Sequence, residues 1–78
     1  MDAEITNISP NGFWILIDQN EHFVPFDDFP WFADKTIRQI SNVSVVGFGH
    51  LYWEDLDIDL TVDMIEHPDR YPLAVKTA

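Results

Sequence analysis

The sequence predicts an α+β domain, an antiparallel β-meander of about five short strands with two short helices gathered on one face. Three observations carry that reading. Apolar and polar residues alternate at period two in GFWILIDQ and β-branched residues return in VSVVGFGHLYW, as strands require. Pro10-Asn11-Gly12 and the pair Gly47 and Gly49 supply turns or bulges between such runs. Thr36 and Thr61 each stand at the head of a stretch that suits a brief helix.

The first strand, EITNIS, ends at the Pro-Asn-Gly turn, and the second, GFWILIDQ, sets Phe13, Ile15 and Ile17 against Trp14, Leu16 and Asp18. Both faces of this strand are apolar, so Trp14 and Leu16 are expected to be covered by the helices or by another chain. The polar link DQNE leads into HFVPF, where Pro25 has no amide to donate and so marks an edge strand or its end. Beyond it, Asp28 is a candidate cap, Pro30 suits a first helical position, and Trp31 with Phe32 forms a short aromatic turn. Thr36-Ile37-Arg38-Gln39 has the form of a capping box, starting a helix that runs to about Ser41. VSVVGFGHLYW gives two more strand pieces. TVDMIEHP then closes the pattern with a helix capped by Thr61, favoured by Asp63 near its positive end and stopped by Pro68. Residues 1–78 are expected to form a single small domain, with an irregular tail expected from about residue 72.

Composition limits the function classes. The chain has no cysteine, so neither a disulfide framework nor a cysteine zinc site helps it fold. A domain of this size buries only about 60 to 65% of its unfolded surface, which leaves room for a partner or a homodimer to add buried area. A hydrophobic content of 46% is too high for disorder. The acidic start is not followed by an apolar segment, and the longest apolar run is residues 13–17, so neither a signal peptide nor a membrane span is expected and the reading is cytoplasmic. The net charge of -10, with four basic residues, argues against nucleic acid or anionic lipid as a direct ligand; it leaves two readings, an acid excess that serves solubility alone and a surface for a basic protein partner.

One stretch has the look of site chemistry. DLDIDLTVDMIE, residues 55–66, places acids at Asp55, Asp57, Asp59, Asp63 and Glu66, matching positions 1, 3, 5, 9 and 12 of a twelve-residue calcium loop. The match fails at its turn, where Leu60 stands in place of the required glycine, and on both flanks, where a glycine-broken β-type run and Pro68 replace the two helices. Leu56, Ile58 and Leu60 recur at the period of a half-buried strand, which turns the aspartates together toward solvent. Two carboxylates about 7 Å apart in water repel by about 0.6 kcal/mol, whereas burying three large aliphatic side chains gives about 5 to 9 kcal/mol. Burial decides the conformation, and the carboxylates become a charged stripe.

No other pattern competes. His22, His50 and His67 are too far apart to share one helix face as zinc ligands, and Ser9, Ser41 and Ser44 lack a nucleophile elbow or patterned base. No metal, cofactor or catalytic residue is assigned.

HLYWEDLDIDLTVDMIE, together with HFVPFDDFPWF and the closing HPDRYPL, resembles the bacterial and archaeal domain-of-unknown-function family 2442 over roughly residues 4 to 74. The corresponding features here are the strand ending at Trp53, the run Asp55-Leu56-Asp57 with Asp59-Leu60, and the terminal helix of residues 61–66. Glu54, where relatives commonly have proline, and DQNE, where they commonly have an aspartate-glycine turn, depart from the pattern. The resemblance implies a small α+β domain, found alone or ahead of a helix-turn-helix, and often encoded beside a small basic protein in what looks like a toxin and antitoxin pair. Within residues 1–78 no such DNA-binding unit is expected.

The expectation is therefore a non-enzymatic, antitoxin-like interaction module that binds a basic partner, one encoded by the adjacent gene, through Asp55, Asp57, Asp59 and Asp63 with Trp31 and Trp53 as aromatic anchors. The alternatives are a nucleic-acid-mimicking inhibitor whose carboxylates imitate phosphates, and a small metal-dependent enzyme gathering His50 with Asp55 or Asp57.

Overall fold

A computed structural model describes residues 1–71; the tail expected from about residue 72 lies outside the described residues. Six strands form where about five were expected, and they make two three-stranded antiparallel sheets instead of one meander. The first joins β1 (Ala3–Ser9), β2 (Gly12–Ile17) and β3 (Asn20–Pro25) in sequence order. The second joins β4 (Val43–Val45), β5 (His50–Trp53) and β6 (Ile58–Thr61). Pro25 ends β3, and the chain between the sheets carries a 3-10 turn at Pro30–Phe32 and helix α1 at Ile37–Ser41. Helix α2, Val62–Glu66, follows β6, and a second 3-10 turn occupies Pro68–Arg70.

Local chemistry explains these boundaries. Gly12 opens β2 where the chain passes so close to β3 that a Cβ would overlap the Val24 carbonyl oxygen. Thr6 is the extra residue of a β-bulge, since Ile5 pairs with Ile15 while Asn7 pairs with Trp14. The two-residue link after Ile17 has no glycine; Asp18 adopts φ 56 there, and its carboxylate accepts from the Asp2 amide at 3.0 Å. Thr36 forms the expected capping box: its hydroxyl accepts from the Gln39 amide at 3.1 Å, and the Gln39 side chain accepts from the Thr36 amide at 3.0 Å. Thr61 caps α2 by accepting from the Met64 amide at 3.1 Å. Asp28 does not cap the aromatic turn, because the residue before Pro30 in that role is Phe29, without a side-chain bond. Gly47 and Gly49, at φ 73 and 75, turn β4 into β5.

The inner faces of the two sheets meet in one core. Phe13, Ile15 and Ile17 from β2 and Val24 from β3 pack with Leu51, Trp53 and Leu60 of the second sheet, closed by Phe29, Phe32, Ile40 and Ile65. Trp53 is 0% exposed and lies at the centre, its ring 4.9 Å from Phe32 and 6.2 Å from Phe13, both near edge-to-face. Its indole Nε1 donates to the Ile40 carbonyl at 2.8 Å, tying β5 to the end of α1. None of the helices among the described residues is long and apolar enough to cross a membrane.

Trp53→Phe leaves an aromatic ring in place but empties part of the indole volume and strips the Ile40 carbonyl of its donor. The expected loss is about 2 to 4 kcal/mol, measured as a lower midpoint of urea unfolding at unchanged slope. A loss below about 0.5 kcal/mol, the range of an ordinary surface change, would contradict this placement of the indole.

Candidate functional site

The acidic stretch is a turn followed by a strand. After Trp53 the chain reverses through residues 54–57, with the Leu56 amide donating to the Trp53 carbonyl at 3.2 Å and the Asp57 amide to the Glu54 carbonyl at 3.4 Å. Asp57 takes φ 52 to leave this turn, so the extended backbone expected from Leu56 begins only at Ile58. The side chains still divide as the alternation required. Leu56 and Ile58 are half-buried, Leu60 is buried, and Asp55, Asp57 and Asp59 are exposed.

The carboxylates diverge rather than converge. Asp55 accepts from the Asn42 side-chain amide at 3.1 Å, beside the end of α1. Asp57 accepts from the Tyr52 hydroxyl at 3.1 Å, and Asp59 stands 3.8 Å from His50 Nδ1. Asp63, on α2, accepts from the Tyr71 hydroxyl at 2.5 Å and lies 3.5 Å from the Arg70 guanidinium. Of the acids singled out, only Asp57 and Asp59 share a local surface with Trp31. His50 is paired with Asp59, so the meeting with Asp55 or Asp57 that a metal-dependent enzyme would need is not formed. Among the described residues no three His, Asp or Glu side chains are arranged to hold a metal ion.

Trp53 must be corrected as a surface anchor. Its indole is enclosed between the sheets and has no face to offer a partner. Trp31, half-buried in the 3-10 turn, does reach the surface, where it walls an open groove of about 530 Å³. Leu56, Ile58 and Met64 give that groove an apolar lining, and Asp57 and Asp59 give it an acidic rim. Lys35 stands on the wall too, its Nζ 3.0 Å from Asp34. Five consecutive residues, 56–60, line the groove. Neighbouring strand residues point to opposite faces, so a cavity lined by all of them lies along the strand's edge.

The sequence alone did not expose Leu56, Met64 or Lys35 as neighbours of Trp31, because α2, the turns and β6 meet only in the fold. Tyr52 carried a usable signal: it alternates outward with Leu51 and Trp53 on β5, and its register partner is Asp59. Two aromatics fall elsewhere on the surface. Trp14, expected to be covered, is 39% exposed and packs on Phe23 with ring centroids 5.2 Å apart. Phe48, between Gly47 and Gly49, is 100% exposed.

Hydrogen bonding to Asp57, and secondarily its negative charge, raises the Tyr52 phenol above its ordinary titration range. The Tyr71 phenol is raised by the hydrogen bond to Asp63. The hydrogen bond and charge of Lys35 lower the Asp34 carboxyl. Because the folded value of Tyr52 exceeds the unfolded one, the stabilisation from its bond to Asp57 is complete below the ordinary tyrosine range and disappears as pH rises through the raised value. In a Tyr71→Phe background, the ultraviolet phenolate signal of Tyr52 is expected to titrate above 10 and to fall back toward 10 on Asp57→Asn. An unchanged midpoint would show that the two groups are not bonded in solution.

No curated protein and no solved structure matches the chain. Residues 2–71, which include both sheets, both helices and the acidic groove, match a family whose description is "Protein of unknown function (DUF2442)", and the chain belongs to that family.

Proposed function

We propose that this chain is an antitoxin-like protein-interaction module that docks a basic partner protein along the outer edge of β6, in a cytoplasmic setting. The observation that carries this reading is the groove itself, where an apolar lining next to Trp31 adjoins the carboxylates of Asp57 and Asp59. Apolar surface supplies affinity when covered, and exposed charge supplies steering and orientation. The overall charge of -10 extends the same preference over long range, since it draws cations toward the surface and repels anions. Asp55 and Asp63 lie outside the groove and add to this field without lining the contact.

The partner proposed is a small basic protein encoded by the adjacent gene, the arrangement that the resemblance noted above implies. Titration calorimetry of the chain with that gene product tests it. Asp57→Asn with Asp59→Asn is expected to weaken binding by roughly twofold to thirtyfold in low salt, the range for two exposed ion pairs. Trp31→Ala is expected to weaken it by roughly fivefold or more, and added salt to shrink the acid effect. Glu4→Gln with Glu21→Gln removes the same charge from the first sheet, where these residues flank Leu16 in register. Equal losses from both acid pairs would mean that charge acts without a defined edge, and would overturn this reading.

A further inference from the structure

We infer that the docked segment is an extended strand, added antiparallel or parallel to the open edge of β6 as a fourth strand of the second sheet. This rests on the interaction reading above and specifies its mode. The hydrogen-bond phase supports it. Val62 donates to the Gly49 carbonyl at 3.1 Å, and Leu60 and Ile58 are the register partners of Leu51 and Trp53. Alternation in an antiparallel ladder then directs the main-chain groups of Ile58 and Leu60 toward β5. Those of Asp59, and the amide of Thr61, face the other way. Among the described residues β6 pairs only with β5, and the groove lies along the opposite side.

The same geometry sets a side-chain pattern. An added strand alternates its side chains between the two faces of the sheet. Residues on the inner face would meet Trp31, Leu56 and Met64, whereas residues on the outer face would lie beside Asp59, next to Asp57. Opposite charges in neighbouring positions of one face attract, so the outer positions select Lys or Arg. Lys35 disfavours a cation among the inner ones. The recognised chemistry is thus an extended segment in which aliphatic and basic residues alternate.

Many edge strands are protected against pairing by lysine, proline or a bulge. Ile58–Thr61 has no lysine or proline, and its protection is its short length and its acids. Acids discourage a second copy of this chain, which carries the same charge of -10, while favouring a basic strand. Asp57 in the left-handed region and α2 after Thr61 confine pairing to these four residues, so the added ladder is short.

The test uses the full chain and the synthetic peptide acetyl-Lys-Val-Lys-Val-Lys-Val-Lys-amide, with two twins N-methylated on all valines or on all internal lysines. Each twin blocks the amides on one strand edge only. The parent is expected to bind in low salt, one twin to bind roughly tenfold or more weakly, and the other within about threefold of the parent. On saturation with the parent, amide exchange at Asp59 is expected to slow. If the parent binds but both twins match it, or if Asp59 exchange is unchanged, strand addition is overturned while edge docking stands. If no peptide binds at millimolar concentration, strand addition is also overturned, and the acid-dependent titration of the basic protein decides separately whether the edge docks anything.

Discussion

The structure depends on the burial of one indole. Each three-stranded sheet is small, the chain has no cysteine for a disulfide, and among the described residues no three His, Asp or Glu side chains are arranged to hold a metal ion. A short meander gains independent stability only when its apolar face is covered, so the two sheets need one another. Trp53 is the largest side chain buried between them, in contact with the rings of Phe13 from the first sheet and Phe32 from the connecting turn. Its polar end would cost stability in such a place without an acceptor, and the Ile40 carbonyl provides one. Sheet, turn and helix are thereby fixed to a common point, and the next residues in the chain, the acidic turn, start from that point.

This placement determines what the acids can do. Glu54 begins a reversal directly at the surface of the core, and Asp57 completes it with a positive φ that aspartate tolerates better than most residues. The reversal brings Leu56 and Ile58 back against apolar neighbours while the carboxylates stay in water. Solvent and local donors reduce the mutual repulsion of the acids: Asn42, Tyr52 and Tyr71 each donate to a different one. Spreading them over separate partners also removes the convergence that a calcium loop requires. The result is an acidic rim beside a groove whose apolar lining joins Leu56, Ile58 and Met64 to Trp31 of the segment connecting the sheets.

Local features of the fold were legible because each depends on a few adjacent residues. The Thr36 and Thr61 caps, the end of β3 at Pro25 and the inward aliphatics of the acidic stretch follow from hydrogen-bond chemistry and period. Where long-range packing decides, sequence patterns were insufficient. Trp53 and Trp31 have similar acidic surroundings in the sequence, yet one closes the core and the other walls the groove. Splitting the meander into two sheets depends on how residues 26–42 fold back, and no period in that stretch encodes it. The left-handed Asp57 replaced the first part of an expected strand with a turn, because the alternation of Leu56, Ile58 and Leu60 is the same in both conformations at the level of burial.

On the proposed reading, stability and recognition would be coupled through this arrangement. A partner that covers the groove buries Trp31, Leu56 and Met64, which pack directly against the core that holds the sheets together. It also brings cations to a chain whose own charge opposes compaction. Covering the groove acts on the folded state, since unfolding disperses it, so such binding would add to folding stability as partner concentration rises above Kd. A small core with limited buried area gains more from such an addition, in proportion, than a large one. Among the described residues the outer edge of β6 is unpaired, so on the proposed reading it is the place where the limited buried area of a small acidic domain and the docking of a basic protein would meet.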